Sequence, residues 1–580
     1  MHRSPDVFDY VVIGAGSAGC VLANRLSADP SVRVALIEAG PSDRQFPVNL
    51  KTSLPVGNIF LLPHARYNWQ HGFQGGAAVN GRTIACPRGK LFGGCSSVNG
   101  SVYIRGHRLD YDEWAALGNA GWAYEDVLPV FRQHENRHAG ATPFHAKGAG
   151  EFDVSRPNSP NVLSQAFVQA AVQAGHAHNE DFNGASQDGM GLYELNQRDG
   201  VRLSNSRAFL HPVLGRPNLT VFADTLVEKI ELKGKRAVGV RIVKNDAGSE
   251  RGELGERRLL SLAGAASEVV LAGGAVNSPQ LLMLSGIGPG AHLRRWGIPV
   301  QLDLPGVGQN LQDHPTVFVS HANPSGESYA LSGTSWPRML ASPFRYLFNR
   351  KGMLSSNAAE AGGFFRSLPG LDRPDVQMTF LVGLKGNARV IPRDHGFMVL
   401  VQLLRPAGRG HLELASADAA AKPVMHPNFL EDPADMATLV RGVREARRIF
   451  AGAALAPYSG GEIAPGPQVQ TDAQLEAALR EQVNTAYHPV GTCKMGPATD
   501  PLAVVDARLR VHGIEGLRVA DASVMPNIVG GNTSAPATMI GERAAAFIQQ
   551  DKQQQGQQHG QQRGLQRSQQ NAPADTRLPA

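Results

Sequence analysis

Cysteine is scarce in this chain: four residues in 580, Cys20, Cys86, Cys95 and Cys493, with no C-x-x-C pair. That number and scatter exclude a disulfide framework and point to a reducing compartment. Long apolar runs are missing as well. No stretch approaches the ~20 apolar residues a bilayer span needs, and MHRSPDVFDY at the start holds no signal-peptide core. A cytoplasmic protein is expected, with peripheral association at the inner face of the cell membrane left open. Aromatic residues make up 6 %, and no basic stripe is interleaved with them, so nucleic acid is not expected as a partner. His488 and Cys493 have no partners at zinc spacing, so no metal site is expected. No G-x-S-x-G occurs, which removes the nucleophile elbow of a serine hydrolase.

What is present is an ordinary globular composition, 42 % hydrophobic and 18 % charged with a net charge of +6. A prior of about 150 residues per domain suggests about four domains; the motifs below argue for two. FDYVVIG (8–14) is an apolar run ending in glycine, as a buried parallel strand should be. The spacing in SAGCVLANRLSAD (17–29) predicts a helix, and RVALIEAG (33–40) a second buried strand, which together make a βαβ unit. Gly14, Gly16 and Gly19 form a G-x-G-x-x-G turn with Ser17 and Ala18 inside it. The turn lets a pyrophosphate approach the backbone at a helix N-terminus. Glu38, nineteen residues after Gly19, ends the next strand and suits the two hydroxyls of a ribose. A glycine turn alone is a weak signal, but the strand before it, the helix after it and Glu38 select a dinucleotide site. FAD and NAD share this fingerprint, and no second copy exists, because GIGPGA (286–291) fails at its last position.

Two strands make no stable sheet, and the best further candidates are SEVVLAGGAV (267–276) and GLRVADASVM (516–525). The expected fold class is therefore α/β, a Rossmann-like doubly wound domain assembled from discontinuous segments, 1–155, 218–315 and 485–548. Residues 156–217 and 316–484 are expected to form an α+β substrate-binding domain with an antiparallel sheet, including GFMVLVQLL (396–404) and GHLELAS (410–416). ATLVRGVREARRIF (437–450) reads as an amphipathic helix whose arginines form a solvated face, with membrane docking the weaker reading. Residues 549–580, rich in Gln, are expected to be disordered.

Two more stretches carry chemistry. RGKLFGGCSSVNGSVYIRG (88–106) is a small-residue loop in which Gly93 and Gly94 would bring backbone close to a planar ring, with Ser96 and Ser97 leaving it room. YHPVGTCKMG (487–496) holds His488 in a rigid Pro-Gly turn. With GAGSAG and GAVNSPQLLMLSGIG (274–288), these resemble the glucose–methanol–choline family of FAD-dependent oxidoreductases over residues 8–547. Phe92 and Cys95 depart from the first family signature, and Cys95 would then lie near the flavin as a redox-sensitive thiol. NWQHGF (68–73), VYIRGHRLDYDEW (102–114), SNAAEAGGFFRS (356–367) and NLQDHP (310–315) are most similar to bacterial quinone-linked alcohol dehydrogenases, with choline dehydrogenases next.

The resemblance implies FAD as cofactor, held by the glycine turn and Glu38 together with Ala39, Gly93, Gly94, Asn99, Gly100, Val102, Val227, Asp521, Ala522 and Thr533. Val98 stands where some members attach the flavin through histidine, so non-covalent FAD is expected. His488 aligns with the catalytic histidine and Asn532 with a second polar group. An imidazole titrates near working pH and suits the alcohol proton, while an amide holds the substrate oxygen. The helix beginning near Thr533 and Ser534 would aim its N-terminus at the flavin, stabilising the reduced anion by about 0.3–2 kcal/mol. His314 beside Asp313 is read as structural. The activity implied is oxidation of a primary alcohol to the aldehyde, with electrons passing to a quinone-type acceptor. Choline dehydrogenase, an oxygen-using alcohol oxidase and a non-redox hydroxynitrile-type lyase are the alternatives. Glu360 supplies a charge that choline would need, but the sequence does not place it in the pocket. The sequence leaves the alcohol, the acceptor and the oligomeric state open.

Overall fold

The βαβ unit that opens the chain is completed from segments far along it. The computed structural model describes residues 5–148, 150–245, 254–330, 332, 336–384 and 394–570. Tyr10–Ile13 lies at the centre of a five-stranded parallel sheet whose order is Leu219–Phe222, Val34–Ile37, Tyr10–Ile13, Glu268–Leu271 and Leu517–Val519. Four of these five strands are legible as apolar runs. The fifth, Leu219–Phe222, is an edge strand with one buried residue, too little apolar sequence to announce itself. Tyr10–Ile13 and Val34–Ile37 are buried along their length, as strands covered on both faces must be. Helix α1 (Ser17–Leu26) leaves the end of Tyr10–Ile13, and α2 (Gly274–Leu284) leaves the end of Glu268–Leu271. Both helix N-termini therefore open at the same edge of the sheet.

A seven-stranded antiparallel sheet forms the second layer of the molecule. Gly396–Leu403, within the run read from sequence, pairs with Pro315–Ala322 on one side and Val376–Leu381 on the other. Beyond the latter lie Ala361–Phe365 and Gly189–Leu192. Helix α3 (Trp336–Asn349) sits between the first two of these strands in sequence, and α4 (Pro433–Phe450) packs on the sheet. The arginines of α4 are not an open basic face. Arg444 pairs with Asp472, Arg447 with Glu462 and Arg448 with Glu445, while Arg441 donates to Ser367 Oγ. The 410–416 run joins a different sheet from the one expected. His411–Glu413 pairs with Val424–His426, which continues through Met425 opposite Phe73 into the hairpin His71–Gln74 and Thr83–Cys86. Alternation marks a strand, but long-range packing chooses its neighbour.

Helix α5 runs from Ser534 to Gln570, so the glutamine-rich segment from Gln549 is helical to Gln570 instead of disordered. Its first turns bury Met539, Ile540, Ala544 and Ile548, which nucleates the helix. Glutamine then propagates it at small cost. Asp551 accepts from Arg508 and Arg518, and Lys552 pairs with Asp29, tying the segment past Gln549 to the body. Residues 571–580 lie outside the described residues.

One feature of the core governs its response to acid. His134 is fully buried among Phe131, Phe152 and Phe209, and neither ring nitrogen has a hydrogen-bond partner. His71, stacked on Trp69, is similarly unpartnered. Burial pushes both imidazoles down to about 3. An unfolded histidine titrates near 6.5, so between about 6.5 and 3 the unfolded chain binds more protons and stability falls as pH falls. Each pH unit in that window is worth about 1.4 kcal/mol per group. His134→Leu is expected to flatten the fall of Tm between pH 6.5 and 4, measured by calorimetry, with little change above pH 7.

Candidate active site

A cavity of about 480 Å³ runs from the carboxyl edge of the parallel sheet to the antiparallel sheet. Gly14, Gly16, Ser17 and Ala18 line one end with Glu38 and Ala39. Gly94, Asn99, Gly100, Val102 and Val227 line it further along, with Asp521, Ala522 and Thr533. His488 and Asn532 lie in the same wall. The sequence-derived site residues are thus brought together, save Gly19 and Gly93, which do not line the space. A Cβ on Gly19 would stand 1.8 Å from the Gly14 carbonyl oxygen, so Gly19 lets α1 close on the turn. Gly93 has φ +84°, and its N–H donates to Ala15 O at 2.7 Å, docking the loop on that turn. Ser96 and Ser97, expected to leave room for a ring, do not line the cavity. Their hydroxyls donate to the Gly93 and Phe92 carbonyls and tie the loop together.

Two carboxylates brace the sheet edge. Glu38 Oε2 accepts the Ala15 N–H at 2.9 Å and Oε1 the Gly40 N–H at 3.0 Å, and burial pushes its carboxyl up to about 7. Asp521 Oδ2 accepts from Gly274 N and Ser278 Oγ at the start of α2, and Oδ1 from Ser523 N. Burial raises it above the usual carboxylate range. The N-termini of α1, α2 and α5 all contribute residues to the lining, so the positive ends of three helix dipoles border one space.

The far end is built by an antiparallel run. Asn484–Thr485 pairs with the start of Pro315–Ala322, and Gln312 bridges Val490. Residues 312–316 and 484–490 therefore lie side by side, which sets His314 against His488. His314, read as structural from sequence, touches the catalytic candidate: the two Nδ1 atoms are 3.0 Å apart. His314 Nε2 lies 3.1 Å from the Val529 carbonyl oxygen, which only accepts, so this nitrogen carries the hydrogen. Burial pushes His314 down to about 3, leaving Nδ1 as an acceptor. His488 Nδ1–H therefore donates to it, and His488 Nε2 keeps its lone pair. That lone pair faces Asn532 Nδ2 at 3.3 Å. The Asn532 amide is itself oriented, since Gln377 Nε2 donates to its Oδ1 at 3.2 Å. Asp313 fixes the backbone by accepting from His488 N at 2.9 Å and His314 N at 2.7 Å, and burial pushes it up to about 6. Loss of hydration, then His314 and Arg88, holds His488 well below 6.5.

The GMC oxidoreductase patterns match residues 8–316 and 406–541 of this chain. The chain belongs to the GMC oxidoreductase family. It is 42 % identical over 544 residues to the alcohol dehydrogenase [acceptor] of Pseudomonas putida, covering 93 % of this chain and 96 % of the other. It is 43 % identical over 549 residues to the mitochondrial choline dehydrogenase of Mus musculus, covering 94 % and 90 %. Among solved structures it is similar to pyridoxine 4-oxidase from Mesorbium loti, with TM-score 0.81, 29 % identity and coverage of 93 % and 98 %. Formate oxidase from Aspergillus oryzae gives TM-score 0.84, 26 % identity and coverage of 95 % and 99 %. The protein is accordingly an FAD-dependent oxidoreductase acting on CH–OH donors.

The cavity of this GMC oxidoreductase fits FAD. A Cβ built on Gly100 or Gly274 meets nothing within 4 Å, and one on Gly16 meets only Ala272 O at 3.9 Å, though all three line the space. Cys95 lines it as well, with Sγ 3.5 Å from the Gly89 N–H. Sequence reasoning missed Trp69, Asn357, Leu381 and Leu400, which also line it. Trp69 and Asn357 lie in stretches that carried the family resemblance without a residue role, and Leu381 and Leu400 in sheet strands with no motif, so only the fold brings the four into the wall. Because Gly16 faces open space, Gly16→Val is expected to fold with the wild-type far-UV spectrum yet purify without flavin absorbance. Retained yellow colour would show that FAD lies elsewhere.

Proposed function

We propose that this enzyme oxidises an uncharged primary alcohol to the aldehyde, with His488 Nε2 accepting the hydroxyl proton. The observation that carries this reading is the pairing of the His488 Nε2 lone pair with Asn532 Nδ2 in the cavity wall. A substrate hydroxyl between these atoms donates its hydrogen to Nε2 and accepts from the amide. Asn532 cannot serve as a base, so one group takes the proton and the other holds the oxygen. FAD bound in the cavity supplies the hydride acceptor. Gly14–Ala18 and the N-terminus of α1 would hold its pyrophosphate and Glu38 its ribose. Residues 93–102, with Val227, Asp521, Ala522 and Thr533, would hold the remainder. Val98 lines the cavity and carries no nucleophile, which supports dissociable FAD. With no second dinucleotide fingerprint, a quinone-type acceptor is the proposed exit for the electrons.

The lining supports a neutral substrate over choline. Leu381 and Leu400 of the antiparallel sheet join Ala359 and Val102 in the wall. Among the described residues, the acidic ones there are Glu38 and Asp521, both engaged at the sheet edge. Glu360 does not line the cavity. Its oxygens accept from Ser356, Ser164 and the Asn161 N–H. The two aromatic residues in the wall, Trp69 and Tyr487, each have a cation beside them. Lys90 Nζ lies 4.8 Å from the Trp69 ring centroid, and Arg88 donates to the Tyr487 carbonyl. A trimethylammonium group would meet positive charge there in place of a cage.

Anaerobic mixing tests the assignment directly. Aliphatic or benzylic primary alcohols are expected to bleach the flavin, and choline to do so far more slowly; a flavin that stays yellow with every alcohol would favour the lyase alternative. His488→Ala is expected to slow the bleaching at least about a hundredfold. The acid limb of kcat/KM is expected below pH 6.5, because the neutral base persists under acid to the depressed pKa of His488.

His314 serves in this reading as a positioning residue. His314→Leu leaves the His488 Nδ1–H unpaired and its tautomer free, whereas glutamine can donate to Val529 and accept from His488. The leucine variant is expected to lower kcat at least about tenfold with KM little changed, and the glutamine variant to recover most of it. Equal loss in both variants would remove the tautomer role.

A further inference from the structure

Helix α3 (Trp336–Asn349) is amphipathic, but its apolar side is turned outward. Ser342 and Tyr346 are buried, while Leu340, Phe344, Leu347 and Phe348 are 65 %, 63 %, 66 % and 82 % exposed. These four occupy positions i, i+4, i+7 and i+8, one face of a helix. A surface helix normally does the reverse. The exposed face does not stand alone. The turn Met353–Ser355 packs on both α3 and the turn Pro55–Gly57. Flanking the latter turn in sequence are Phe46, Leu50, Ile59 and Phe60, also exposed. Arg207 ties the two regions by donating to Asn49 O while its charge acts on Tyr346.

Within the two stretches that form this face, the charge has one sign. No Asp or Glu occurs from 328 to 359 or from 44 to 109. Arg345, Arg350 and Lys351 are exposed at the end of α3, with Arg44 and Arg66 exposed beside the second cluster. Large apolar side chains flanked by Arg and Lys, with no carboxylate in either stretch, match the requirements of an interfacial helix on an anionic bilayer. On α4 three of the four arginines are consumed in ion pairs and Arg441 donates to Ser367 Oγ, so the membrane-facing helix is α3 and not the one singled out in the sequence.

We propose that the face formed by α3 and residues 46–60 docks on an anionic phospholipid surface. The consequence for the enzyme follows from position. Asn58 and Leu62, on either side of Ile59 and Phe60 in sequence, line the cavity that holds His488. A docked molecule brings that wall of the site to the lipid boundary, where a lipid-soluble acceptor is concentrated. The docking itself goes beyond the proposed oxidation and does not depend on it.

The test is sedimentation of the flavin-loaded full chain with vesicles of phosphatidylcholine alone or with phosphatidylglycerol added. Binding is expected to be at least about tenfold tighter to the anionic vesicles and to weaken as salt is raised. The double variant Phe344→Glu and Phe348→Glu, and separately Arg345→Glu with Lys351→Glu, should each lose that binding. Both should keep alcohol oxidation with a soluble dye at the wild-type rate, which shows that they fold. No binding by the wild-type protein, equal binding to both vesicle types, or binding retained in either variant would overturn the proposal. So would a concentration-dependent dimer that the phenylalanine variants abolish, since the face would then belong to a second copy of the chain.

Discussion

An imidazole that is to accept a proton must be neutral and must present the correct nitrogen, and burial beside a second neutral imidazole meets both conditions. Water is the medium that favours the charged form, so its removal around His314 and His488 keeps both rings uncharged. The Val529 carbonyl then decides which nitrogen of His314 carries hydrogen, and that choice passes to His488. A single backbone oxygen thus fixes the chemistry two rings away. Had a carboxylate stood in place of His314, it would have favoured the imidazolium and raised the pKa of His488. The nearest carboxylate, Asp313, instead spends its oxygens on Thr485 and two backbone N–H groups.

This arrangement needs residues 312–316 and 484–490 in antiparallel contact, and the five-stranded sheet needs strands from four regions of the chain. The parallel sheet sets the N-termini of α1 and α2 at one edge, and α5 begins in the wall of the same cavity, which is where an anionic dinucleotide is best accommodated. A buried ionic network steadies the remaining wall. Arg105 pairs with Glu135, His145 bridges Glu135 and Asp181, and Arg137 binds Glu194. Glu194 O in turn accepts the Tyr103 N–H beside Val102 of the lining. Removing one partner of such a network strands a buried charge, so its members constrain the site without touching it.

The nucleotide end was legible because its constraints are local. Gly14, Gly16, Gly19 and Glu38 lie within twenty-five residues, and each answers a steric or charge demand of one turn. The strands at 268–271 and 517–519 were legible because burial makes their sequence mostly apolar, broken only by Glu268 and Arg518. The edge strand at 219–222 and the pairing of 411–413 were not, since half-exposed strands carry little pattern and pairing partners are chosen by tertiary packing. The contact of His314, read as structural, was not legible for a related reason: its partner His488 lies 174 residues away. The glutamine-rich end read as disordered by composition, but composition does not record that the helix had already been nucleated by buried Met539 and Ile548.

The asymmetry between His488 and Asn532 limits what the site can do. With two histidines, either could take the proton and an oxygen could sit between two bases. With histidine and asparagine the roles cannot exchange, because the amide never accepts at nitrogen. Gln377 enforces this by donating to Asn532 Oδ1, which keeps Nδ2 turned toward His488. A hydroxyl is thereby oriented by a donor on one side and an acceptor on the other, and its carbon is left on the side away from both. The apolar wall of Leu381, Leu400 and Ala359 can take the rest of the molecule without asking for charge. In the proposed reading, selectivity for a neutral alcohol and the role of His488 as sole proton acceptor would both follow from this one geometry.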